Sequence, residues 1–172
     1  MVFSDDVTDS NARTRTVTWT DPLAALPAAV GMSGLEFMKA VVSGELPPPP
    51  IMSTMGITGA EVAEGKAMFR GEAGEYLYNP IGVVHGGFAM TILDSALGCA
   101  VHTTLAVGER YTTLETKVNF VRPITAETGP VRCEAVVVHR GGRVATSEGK
   151  LFAETSGKLL AHGTSTCMII PR

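Results

Sequence analysis

The sequence predicts an α+β fold: a curved, mostly antiparallel sheet of about six strands wrapped around one long central helix, with a short helical N-terminal extension. Three observations lead there. Strand-like runs come in the order two, then one long helical pattern, then four. The helical pattern, within "NPIGVVHGGFAMTILDSALGCAV" (79–101), is apolar over most of its circumference, as an enclosed helix is. A largely antiparallel sheet around a single internal helix has one economical way to bury it, which is to curl about it.

Length and composition fit one core. Of 172 residues, 45% are hydrophobic and 18% charged, which suits one domain at residues 51–172 behind an extension at 1–50. A formal charge of −3 without a long basic run argues against a nucleic-acid partner. The cysteines, Cys99, Cys133 and Cys167, are odd in number, lack C-x-x-C spacing and sit in apolar runs, as reduced buried thiols do. The start, "MVFSDDVTDSNARTRTV", is polar and acidic rather than a secretory signal, and no apolar run reaches bilayer length. A soluble, cytoplasmic protein that needs no membrane is expected.

Along the chain, residues 1–20 lack a period and are expected to be mobile. "DPLAALPAAV" and "SGLEFMKAVVSGEL" predict two short helices, the second opened by Ser33 with Glu36 as capping-box partner and stopped at Gly44. Pro47–Pro50 predicts a stiff extended connector. Two strands folding back at Glu64-Gly65-Lys66 come next, then the helix. The last four strands are "YTTLETKVNFVRPI", "PVRCEAVVVHR", "RVATSEGKLFAET" and "KLLAHGTSTCMII", with Gly141-Gly142 and Ser156-Gly157 where two-residue turns would fall. Phe88, Ile92, Ala96 and Cys99 cover one side of the helix, and Leu93, Leu97, Ala100 and Val101 another.

Against that apolar surface stands Asp94. An ionised carboxylate among apolar groups is costly unless paired, hydrogen-bonded or wet, and a hydrogen-bonded structural role is one reading of it. The helix itself opens at His85, Gly86 and Gly87, with no Ser, Thr, Asp or Asn immediately before it. Its first N–H groups would be free to face a developing negative oxygen. Asp94 follows Gly87 by seven residues, on the same face but ~10 Å along the axis, so it cannot serve its own helix start. In a symmetric dimer with antiparallel helices, Asp94 of one chain would approach the glycines of the other. A carboxylate beside an oxyanion-stabilising helix end suits acyl transfer to water.

These residues carry a resemblance. "NPIGVVHGG", "LDSALG" and "TTLETKVNFVRP" form the combined patterns N-x5-HGG-x6-D and T-x-E-x3-NF-x-RP, over an element order spanning roughly residues 56–170. The chain resembles the hotdog-fold acyl-CoA thioesterases, in their phenylacetate-pathway (PaaI-like) branch. The resemblance implies a homodimer, or a dimer of dimers, that hydrolyses an acyl- or aroyl-CoA. It implies that Asn79 and the Gly86 N–H hold the thioester carbonyl, and that Asp94 of the opposite subunit activates water or attacks directly. It places Thr113 where related enzymes carry a water-positioning Ser or Thr. The two-residue period sets Thr113 and Glu115 opposite Leu114, Val118 and Phe120, so a bulge, or Thr112 instead, stays open. His85 and Gly87 would shape the substrate loop, His85 as a structural part of the helix start.

CoA phosphates need local positive charge, for which Arg122, Arg140 and Arg143 are the candidates. No cofactor is called for, since CoA enters as part of the substrate, and no metal-ligand spacing stands out: Cys99 and His102 have no second ligand pair. There is no G-x-S-x-G elbow and no nucleotide-binding glycine motif. The alternative function is a non-catalytic hotdog protein that binds acyl-CoA. A hydratase or dehydratase is a more distant option.

Overall fold

Helix α4 (Gly86–His102) is the 17-residue element against which the rest of the chain folds. Its interior has no Pro, and Ile92, Leu93, Ala96, Leu97, Ala100 and Val101 are all fully buried. Each large side chain among them contributes roughly 1.5–3 kcal/mol by leaving water. The computed structural model describes residues 12–171.

Around α4 runs a six-stranded sheet of β1 (Ile57–Ala63), β2 (Lys66–Glu72), β3 (Arg110–Phe120), β4 (Pro130–Arg140), β5 (Val144–Ala153) and β6 (Leu159–Ile170). The order is β1-β2-β4-β5-β6-β3 and every pairing is antiparallel. Alternation follows the pleat: Ala145, Ser147, Gly149, Leu151 and Ala153 of β5 are buried toward α4, while Val144 and Lys150 face outward. Gly149 lets the helix come close, since a Cβ there would lie 3.2 Å from Leu97 Cδ2. Ser147 Oγ donates to the Leu97 carbonyl at 3.1 Å, so the buried hydroxyl is satisfied by the helix it supports.

The first hairpin turns on Glu64-Gly65, with Gly65 at φ +68°. The later two are longer than expected: Gly141–Arg143 separates β4 from β5, and 154–158, with Gly157 at φ +65°, separates β5 from β6.

The N-terminal extension folds back onto this body. Helices α1 (Leu26–Ala29) and α2 (Gly34–Ser43) sit where the sequence predicts helices. The expected capping box is formed: the Glu36 N–H donates to Ser33 Oγ and the Ser33 N–H to Glu36 Oε2. Gly44, at φ +82°, ends α2. The proline run departs from expectation at its last residue. Pro50 opens a third helix, α3 (Pro50–Met55), because a proline at the first helical position has the right φ and needs no N–H partner.

Of the segment expected to be mobile, residues 1–11 lie outside the described residues. Residues 12–20 have no regular structure but are tied down. Arg13 pairs with Glu75 at 2.7 Å. Arg15 donates to the Ser53 and Thr54 carbonyls and stacks 4.0 Å from the Tyr76 ring centroid. No helix among the described residues is long and apolar enough to cross a membrane.

Extension and body meet most tightly where α2 begins. The Gly34 N–H donates to the Leu105 carbonyl at 2.9 Å, and a Cβ on Gly34 would fall 1.8 Å from the His102 carbonyl oxygen. The atom met is a backbone oxygen and a Cβ is fixed rigidly to its own backbone, so neither yields cheaply. Gly34→Ala is expected to cost about 1–3 kcal/mol, as overpacking does, read as a lowered Tm in thermal unfolding.

Candidate active site

The entry to α4 is fixed from three sides. The His85 N–H donates to the Leu77 carbonyl at 2.7 Å, and the Val84 N–H to the Ile124 carbonyl at 2.9 Å. Asn79 folds the loop before it: its Oδ1 accepts from the Ile81 and Val83 N–H groups at 3.1 and 3.3 Å. The carbonyl oxygen of Asn79's side chain is therefore engaged, and its NH2 group is the end left to meet a ligand.

His85 is the helix cap. Its Nδ1 accepts from the Gly87 N–H at 2.9 Å, while its carbonyl accepts from the Phe88 N–H at 3.0 Å. Among the described residues, the Gly86 N–H has no such partner, so the first turn keeps one donor at the positive end of the helix dipole. Both glycines are required by rings. A Cβ on Gly87 would lie 2.9 Å from His85 Nδ1, and one on Gly86 would lie 3.0 Å from Phe120 Cζ.

Asp94 is exposed on the stripe of α4 that the sheet leaves uncovered, with Met90 one turn before it. The expectation of a helix enclosed nearly all round is met except along this stripe. The partner of Asp94 was not foreseen: Thr116 Oγ1 donates to its Oδ1 at 2.9 Å. Ser165 Oγ, which gives its own proton to the Glu115 carbonyl at 3.0 Å, is a second acceptor for Thr116 Oγ1 at 3.4 Å, and the shorter bond to the charged carboxylate is the stronger of the two.

A bulge explains the oversight. The β3–β6 register shifts between Thr113 and Glu115, so Leu114 is the extra residue. Tyr111 and Thr113 before it, and Thr116 and Val118 after it, are all partly buried, whereas Thr112, Leu114 and Glu115 are exposed. Of the two alternatives left open by the pleat, the bulge holds, and Thr113 lines the same cavity as Asp94. Its Oγ1 is 4.0 Å from Cys167 Sγ.

The expected site residues thus fall into two groups in one chain. Asn79, His85, Gly86 and Arg122 line a groove of about 470 Å³ at the start of α4. Asp94 and Thr113 line a separate cavity of about 580 Å³. Arg122 donates to the Leu159 carbonyl at 2.6 Å, which holds it at the rim of the first groove. Arg143 is exposed in the β4–β5 turn. That turn lies at the far end of α4, where the adjacent Arg140 is paired with Glu109 at 2.6 Å and bonded to Thr104, so one chain does not bring Arg122 and Arg143 together.

Two of the free cysteines, Cys99 and Cys133, are held as thiols. Burial, reinforced by the Asp94 charge, pushes Cys99 up to about 12, and burial alone does the same to Cys133.

One helix wrapped by a six-stranded antiparallel sheet, opened by a glycine pair, is the hotdog class of α+β fold. The model of the thioesterase superfamily matches residues 81–160. A phenylacetic acid degradation-related protein from Ralstonia eutropha is similar in structure, with a TM-score of 0.68 and 32% identity over 76% of this chain and 97% of that one. A Bacillus halodurans protein solved with CoA is similar at 25% identity and a TM-score of 0.60, over 80% of this chain and 86% of that one. A 1,4-dihydroxy-2-naphthoyl-CoA hydrolase of Listeria monocytogenes is 29% identical over 119 residues, 69% of this chain and 94% of its own. The chain belongs to the thioesterase superfamily.

The capping role of His85 has a direct check. His85→Ala is expected to lose about 1 kcal/mol of stability, and His85→Asn, which restores an acceptor at the cap, to recover most of it. Denaturant midpoints at unchanged m-value would measure both.

Proposed function

We propose that the protein is an acyl-CoA thioesterase acting as a dimer, with the α4 helices antiparallel across a two-fold axis. The observation that carries this is the division of the site: an exposed carboxylate oriented by one hydroxyl in one cavity, and an unpartnered helix-start N–H in another. Each lacks what the other has. The edge strand β3 supports association, because its unpaired side is flanked by Leu114 and Phe120, 59% and 57% exposed. The relatives' acyl-CoA hydrolase and CoA-bound descriptions fit the same reading.

In this mechanism Asp94 of one protomer takes a proton from water, and the water oxygen adds to the thioester carbon. The developing oxyanion is met by the Gly86 N–H and the Asn79 side-chain NH2 of the partner chain. The carbon–sulfur bond then breaks, and the proton held on Asp94 passes to the departing thiolate, giving free acid and CoA. Thr116 is a positioning residue, which keeps the carboxylate in one rotamer. Thr113 borders the water's place, Gly87 leaves room for the bound carbonyl, and Arg122 offers charge to CoA phosphate at the groove rim.

Asp94→Asn and Asp94→Ala should lower kcat about a hundred- to ten-thousand-fold, the usual worth of a positioned base, in a thiol-reactive dye assay on a CoA-ester panel. Ester binding without thiol release by the unaltered protein would instead make it a non-catalytic acyl-CoA binder. Thr116→Ala should lower kcat about ten-fold with KM little changed, as expected for loss of one orienting hydrogen bond, and Thr116→Ser should restore it.

A further inference from the structure

The cavity that Asp94 borders is larger than a reaction centre needs. Its volume, about 580 Å³, falls in the range of small-molecule sites, ~300–1,000 Å³. The floor is the stripe of α4 from Asp94 through Gly98 to His102, and the roof is the N-terminal extension: α1 through Leu26, α2 through Phe37, Met38 and Val42, and α3 through Met52. The family match begins only at residue 81, and the Ralstonia relative covers 97% of itself but 76% of this chain. The roof is therefore drawn from a part of the chain that precedes the matched family residues.

Three properties describe what would fit. Among the described lining residues there is no Lys or Arg, and Asp94 at the mouth is the one acid, so an anionic tail would find no counter-charge. Asp94 and His102 are eight residues apart on α4, so the stripe they bound is ~12 Å long. The far end is closed by aromatic faces: Phe37 stacks on His102 with centroids 5.5 Å apart, and Tyr111 tilts against the same ring at 5.4 Å. Burial lowers the His102 pKa, which leaves that end uncharged at neutral pH.

We propose that this cavity holds the acyl tail of the substrate, that the tail is an uncharged hydrocarbon chain of medium length, and that α2 is the element that sets its length. With carbon–carbon bonds of ~1.5 Å, an extended chain advances ~1.3 Å per carbon, so ~12 Å accommodates about nine carbons. Met38 and Met52 suit a flexible chain because thioether side chains adapt to irregular apolar shapes. The inference rests on the thioesterase reading for its reacting group, but the cavity's preference can be measured apart from turnover.

Hydrolysis of acetyl-, butyryl-, octanoyl-, decanoyl-, palmitoyl- and phenylacetyl-CoA would be compared in the full-length protein, with Val42→Trp to shorten the cavity and Met38→Ala to enlarge it. Expected are a kcat/KM for octanoyl- or decanoyl-CoA that exceeds butyryl-CoA ~10-fold or more, loss of that ratio in Val42→Trp, and a shift toward palmitoyl-CoA in Met38→Ala. In parallel, calorimetry would measure binding of the non-hydrolysable thioether decyl-CoA and of CoA alone, with each variant's fold checked by its melting curve. Turnover indifferent to acyl length and to both substitutions, or highest for phenylacetyl-CoA, overturns the inference and leaves the thioesterase reading intact. No turnover, but decyl-CoA bound more tightly than CoA and weakened in folded Val42→Trp, sinks the hydrolase reading and keeps the cavity assignment. Equal binding of decyl-CoA and CoA overturns the assignment whatever the turnover.

Discussion

Everything in this molecule is arranged around the need to bury α4 inside a single curved sheet. A helix with Ile92, Leu93, Leu97 and Val101 fully buried cannot stand on a flat surface, so the sheet must bend and come close. Small residues allow this: Ala135, Ala145, Ser147 and Gly149 are among the buried positions of β4 and β5, and Gly149 leaves room for the Leu97 side chain. This sheet stays open, with β1 and β3 as its edges, and one stripe of the helix stays outside it. Asp94 stands exposed on that stripe, and the N-terminal helices cover what lies beyond.

How far this was legible from sequence depended on whether a feature is local. The capping box at Ser33 and Glu36, the hairpin at Glu64-Gly65 and the apolar α4 are fixed by residues within one or two turns of one another, and each lies where pattern reading puts it. The Leu114 bulge is different, since it depends on how β3 meets β6, a strand some fifty residues on. With it went Thr116, whose parity along the strand is wrong until the bulge is known. The short α3 escaped because four prolines in a row suggest extension, while only the last sits at a helix start. The separation of Arg122 from Arg143 belongs to tertiary structure, as the two flank opposite ends of α4.

The helix start shows how one histidine can define a site without reacting in it. By accepting the Gly87 N–H at Nδ1, His85 is held with its proton on Nε2, the tautomer in which Nδ1 is an acceptor. An imidazole used this way cannot serve as a base at Nδ1 without giving up the cap. With the Phe88 N–H taken by the His85 carbonyl, the same residue satisfies two of the first three N–H groups of the helix. What it leaves, among the described residues, is the Gly86 N–H.

The place of this N–H on the helix bears on the worth of a single donor. An N–H in open water is already well solvated, and a substrate carbonyl gains little by replacing water there. At the positive end of a 17-residue helix, the same N–H comes with a fixed dipole that need not reorganise to meet a negative oxygen. Asp94 stands apart from that end, exposed in the single chain and bonded through one oxygen to Thr116, so it does not carry the cost of a carboxylate enclosed among apolar groups. A second protomer placed over it would remove water from a carboxylate whose orientation the Thr116 hydroxyl already fixes, so ordering it there would cost little further side-chain entropy.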